Sequence, residues 1–142
     1  MAVEVETLFE AGSPLARRLA AEAPFAGAAQ LIDRARSLIG ELSEAEQVAT
    51  LAAHPRIGER RERLSDASRR EQGADRLPEL DALNAEYEAR FGFRFVTFVN
   101  GRSKAEVAEE LRRRLRNARE EELRSGLEAI LEIAADRLRR RP

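Results

Sequence analysis

Only one stretch of this chain reads as a strand. Phe93-Arg94-Phe95-Val96-Thr97-Phe98-Val99 is aromatic and β-branched, and the turn pair Asn100-Gly101 closes it. No second segment carries that signature, so the run has no partner strand and a sheet is not expected. The sequence predicts instead a lone extended segment, near 93–99, packed between helices. Its main-chain N–H and C=O groups are then available to a ligand.

Everything around that segment is punctuated as helix. Ser13-Pro14 is an N-cap followed by proline at the first helical position, and the helix runs from Pro14 to about Ala21 before Pro24 ends it. From Phe25 to Gly40, residues Phe25, Ala28, Ala29, Ile32, Ala35 and Ile39 form a helical stripe. Ser43 and Glu46 are spaced as a capping box, and the helix they open must stop before Pro55, because the residue before proline is pushed out of the α region. Arg56 to Leu64 reads as a loop, and Ser65 or Asp66 caps a short helix ending at Gly73. Pro78 opens a helix with Leu80, Leu83, Tyr87 and Phe91 on its buried face and Gly92 just past its end. Ser103 and Glu106 form a second capping box ahead of Val107, Leu111 and Leu115, and a last helix runs from about Arg119 to Arg139, with Asn117 at the break. The expected architecture is all-α: a single-domain bundle over residues 1–142, with about seven or eight short helices.

Composition removes whole classes of chemistry. The chain has 142 residues and no cysteine, which excludes disulfides, thiolate metal sites and cysteine nucleophiles. It has one histidine, His54, too few for a zinc site, and no clustered aspartates suggest a magnesium site. There is no phosphate-binding or dinucleotide glycine motif. The single lysine, Lys104, lies in a capping box, so Schiff-base chemistry is not indicated. The expectation is no metal and no cofactor. A net charge of -1 argues against nucleic acid as a partner, and no apolar run is long enough to span a membrane. Met1 to Glu10 carries three glutamates and no basic cluster, so a cytoplasmic protein is expected.

Two candidates remain. His54 sits at the end of an apolar helix, where a histidine either caps carbonyls or serves as a general acid or base near neutral pH. Ser68, Glu71 and Gln72 share one helical face by their spacing. They are either an ordinary polar surface or a hydroxyl, a carboxylate and an amide suited to a polar, nitrogen-rich ring.

Ala53-His54-Pro55-Arg56-Ile57-Gly58, Ser68-Arg69-Arg70-Glu71-Gln72-Gly73 and the run from Leu83 to Val96 resemble, in that order, the OHCU decarboxylase family. OHCU is 2-oxo-4-hydroxy-4-carboxy-5-ureidoimidazoline, an intermediate of urate degradation. Gly101-Arg102-Ser103, Arg114-Leu115-Arg116-Asn117 and Ile133 to Leu138 continue the resemblance. Arg56 and Ile57 depart from it, standing where many members have an acidic residue and leucine. The resemblance implies an all-α, cofactor-independent carboxy-lyase, often a homodimer, that converts OHCU to (S)-allantoin. It implies His54 and Glu71 as catalytic residues. Pro55, Ser68, Gln72, the segment Phe95, Val96, Thr97, Phe98 and Val99, and Arg137 would then bind this small-molecule substrate. Two other readings share the same residues: a paralogue acting on a related ureido-imidazolinone acid, and a non-catalytic helical module that binds a protein.

Overall fold

The computed structural model describes residues 5–56 and 78–140. Their regular structure is entirely helical: a single turn, α1 (Val5–Leu8), and six helices, α2 (Pro14–Glu22), α3 (Ala28–Glu41), α4 (Glu44–Ala52), α5 (Pro78–Phe91), α6 (Lys104–Arg114) and α7 (Arg119–Arg139). The expected count of seven or eight helices is therefore slightly high for the described residues. It included the short helix ending at Gly73, which lies outside them. None of these helices is long and apolar enough to cross a membrane.

The caps form as their chemistry requires. The Ser13 hydroxyl accepts from Ala16 N at 3.0 Å. At Ser43 and at Ser103 both halves of the capping box close, with all four bonds at 3.0–3.1 Å. Gly92 follows α5 with a φ of 80°, the left-handed backbone that a glycine tolerates. One start is misplaced: α3 begins at Ala28, capped by the extended Gly27, and not at Phe25. Phe25 instead buries its ring from outside the helix, and the buried stripe is Leu31, Ala35 and Leu38, with Ile32 and Ile39 at its edge. On α5 the fully buried row is Leu80, Asn84, Tyr87 and Phe91, so a polar residue takes a place in the stripe beside the half-buried Leu83.

One hydrophobic core joins these elements. α7 is its axis, packed against α1, α3 and α4, while α5 packs on α6. At Gly126 of α7 an added Cβ would lie 2.9 Å from Leu51 Cδ2, so α4 and α7 approach closely just before His54.

The run 93–99 is extended and unpaired, as predicted, and polar clamps hold it on α6. Arg114 Nη1 donates to Val96 O at 3.2 Å, and Arg102 donates to Phe98 O at 2.6 Å and to Val99 O at 3.0 Å. Glu110 binds both arginines and the Thr97 hydroxyl. Beneath them lies Glu122, fully buried, which accepts from Tyr87 Oη at 2.7 Å, Arg114 Nε at 2.7 Å and Asn117 Nδ2 at 2.8 Å. A buried carboxylate is tolerated when its lone pairs are filled in this way.

Candidate active site

His54 comes directly after α4. Ala53 caps the helix, and the His54 N–H donates back to Leu51 O at 3.1 Å. Pro55 forces the chain out of the helix at this point, which fixes where the imidazole emerges. The ring is not a solvent-facing helix cap: only 6% of the residue is exposed. Among the described residues no group hydrogen-bonds to it.

Two guanidinium groups act on that ring. Arg137, in the last turn of α7, is buried, donates to Leu8 O at 3.2 Å and pairs with Glu10 at 3.1 Å. Arg94, at the root of the extended segment, donates from Nη1 to Ala52 O and to His54 O, each at 2.7 Å. Burial lowers the His54 pKa most, and the charges of Arg137 and then Arg94 lower it further, from the ordinary 6.5 to about 3. The imidazole is thus neutral at physiological pH and is a hydrogen-bond acceptor at one nitrogen and a donor at the other.

The candidate residues divide as follows. Arg137, bonded to Leu8 O and Glu10, is close enough for its charge to act on the His54 ring, and Pro55 follows His54 in the chain. Ser68, Glu71 and Gln72 lie outside the described residues. Within the extended segment, the Phe95 side chain belongs to the core, 5.2 Å from the Tyr87 ring and with the Arg114 guanidinium 4.7 Å above its own. Thr97 gives its hydroxyl to Glu110 and lines a hollow of about 290 Å³ with Glu110, Arg114, Ser125 and Glu132, a group that does not include His54. The expectation of unpaired carbonyls needs correction, because those of Val96, Phe98 and Val99 already accept from arginines.

Sequence reasoning missed Glu10 and Arg94. Leu8-Phe9-Glu10 resembles the family's N-terminal segment, but that gives Glu10 no role, and only the folding of α1 against α7 brings it to Arg137. Arg94 carried a signal: it is the one charge inside an otherwise apolar and β-branched run.

Among the described residues these features define an all-helical protein whose one histidine is buried and has its pKa lowered by burial and two arginine charges. Comparison with known proteins makes the class specific. The chain belongs to the OHCU decarboxylase family, whose pattern it matches over residues 2–139. It is 32% identical to the 2-oxo-4-hydroxy-4-carboxy-5-ureidoimidazoline decarboxylase of Halalkalicoccus jeotgali, with 94% of this chain and 80% of that protein aligned. It is also 31% identical to the uric acid degradation bifunctional protein PucL of Bacillus subtilis, covering 93% of this chain but only 28% of that longer protein. Among solved structures it resembles an OHCU decarboxylase determined in the presence of (S)-allantoin, with a TM-score of 0.71, 26% identity and 96% and 95% of the two chains covered. An (S)-allantoin synthase gives a TM-score of 0.69 at 25% identity, with this chain spanning 46% of its length.

Proposed function

We propose that this protein decarboxylates OHCU to (S)-allantoin as a step in urate degradation. The observation that carries this reading is the whole-length likeness to the decarboxylase solved with (S)-allantoin. The inventory of side chains suits the reaction. Loss of CO₂ leaves an electron pair that the substrate's own imidazoline ring can accept. The protein must then turn the carboxylate out of the ring plane, exclude bulk water, and move one proton from the hydroxyl to the carbon bearing the ureido group, on one face only, while the ring nitrogen that accepted the pair takes up one proton from solvent.

His54 carries that proton. Its neutral ring accepts from the hydroxyl and returns the proton to carbon. The negative charge of the bound substrate offsets the Arg137 and Arg94 charges without direct contact between its carboxylate and Arg137, which raises the basicity of the imidazole once substrate is in place. Glu71 orients His54 or the substrate hydroxyl, Ser68 and Gln72 bond the ring and ureido groups, and main-chain groups of the extended segment 95–99 meet the ureido arm. Arg137 is held rigid by Glu10 and Leu8, so it serves as a fixed cation beside ring or ureido oxygen. At the departure from the family pattern, the Arg56 guanidinium forms a two-bond pair with Glu88 of α5, at 2.6 and 3.0 Å.

Freshly generated OHCU, followed by circular dichroism, tests the reading. The protein should speed decay and yield (S)-allantoin, and His54→Asn should remove most of the acceleration, on the order of 10²–10⁴-fold for a general acid–base group. Racemic allantoin formed at the spontaneous rate would overturn it.

A further inference from the structure

α4 ends without a basic residue in its last turn. Helix C-termini leave carbonyls unpaired and carry partial negative charge, and here the cation comes from 40 residues away in sequence. Arg94 Nη1 reaches the Ala52 and His54 carbonyls, both at 2.7 Å. These are short, charge-assisted bonds. One bridges the last residue of the helix, and the other holds the peptide of the residue whose ring does the chemistry. Two residues farther along, Val96 begins the run whose carbonyls are fixed by Arg114 and Arg102. The His54 main chain is therefore latched to the base of a segment that is itself clamped to α6.

From this geometry we infer that Arg94 is a positioning residue: it fixes the His54 backbone, and so the imidazole, against the extended segment. The inference rests on the decarboxylase reading for its kinetic test but not for its structural one. Since both carbonyls are bound by a single nitrogen, an ammonium at that point would also serve both. A lysine should substitute where an apolar side chain of similar length cannot, unlike at sites that need the two-pronged guanidinium edge. Arg94 also contributes to keeping the imidazole neutral.

The test compares Arg94→Met, Arg94→Lys and wild type in the full chain. His54 is the only histidine, so its ring protons give one unambiguous NMR signal set. In Arg94→Met this set should shift and broaden while far-UV circular dichroism stays unchanged, and Arg94→Lys should return it close to wild type. With OHCU, kcat of the Met variant should fall on the order of 10²-fold, the scale of a misplacement of about 1 Å, with KM within about twofold, and the Lys variant should recover most of the loss. If the Met variant keeps wild-type histidine signals, Arg94 does not position His54 and the inference is wrong. If the signals move and return as expected but wild-type protein leaves OHCU untouched, the latch stands and the decarboxylase reading falls. Should Arg94→Met fail to fold, Arg94→Gln, too short to reach both carbonyls, takes its place: displaced histidine signals with low kcat support the latch, and wild-type signals refute it.

Discussion

Lowering the pH should destabilise this protein through one residue. His54 has its pKa depressed from 6.5 to about 3, by burial first and then by Arg137 and Arg94. In the unfolded chain the ring binds a proton as pH falls through the ordinary value, whereas in the folded chain it stays neutral. The unfolded state therefore gains protons first, and stability drops as pH falls below that value until the folded ring itself titrates. Between about pH 7 and about pH 5 the linkage amounts to about 2 kcal/mol, at ~1.4 kcal/mol per proton per pH unit below the ordinary value. Above neutral pH the residue contributes no pH dependence. Urea unfolding, followed by circular dichroism, should show the wild type losing about 2 kcal/mol more over this interval than His54→Asn, which has no imidazole to protonate. With m-values of ~1–3 kcal/mol/M, that difference moves the midpoint by roughly 1 M. An equal loss in the two proteins, or a His54 NMR signal that titrates near its ordinary value, would refute the claim that the ring is held neutral.

Other perturbations address the scaffold and the chemistry. Glu122→Leu removes the acceptor shared by Tyr87, Arg114 and Asn117 and should cost about 3–5 kcal/mol in a thermal melt; a change below about 1 kcal/mol would mean the network re-forms without it. Arg137→Lys should raise KM and weaken allantoin binding with a modest change in kcat, because one ammonium cannot hold Glu10, Leu8 and substrate oxygen together. Loss of affinity for the carboxylated substrate alone would make Arg137 the carboxylate clamp instead. Activity should survive prolonged EDTA treatment, and a loss restored by a divalent ion would overturn the cofactor-free reading.

Local rules made most of the helices legible. Capping boxes at Ser43 and Ser103, the break at Pro55 and the glycine at 92 depend on neighbours within one turn of chain, so the sequence contains their partners. The start of α3 was misjudged because Phe25 fits a helical stripe by spacing, yet Pro24 and Gly27 hold the chain extended and the ring reaches the core from outside the helix. Asn84 was missed for a related reason: periodicity registers apolar residues, and a buried amide is invisible to it. In the site, His54 stood out as unique and Arg137 through family resemblance. Arg94 and Glu10 act by contacts spanning 40 and 127 residues of sequence, and no periodicity encodes such contacts.

The electrostatics of the site follow from its architecture. A histidine at a helix C-terminus is ordinarily stabilised in its charged form by the helix dipole. Here Arg94 occupies that dipole, bonding the two carbonyls that would otherwise favour an imidazolium, and Arg137 adds a second positive charge. Among the described residues, burial, Arg137 and Arg94 all act against protonation of the ring. On the proposed reading such an arrangement suits an anionic substrate, whose negative charge offsets the same cations that disfavour the imidazolium. Before CO₂ departs that charge moderates their effect and the imidazole takes the hydroxyl proton; once neutral CO₂ has left, the two cations act on the imidazolium again and favour return of its proton to carbon.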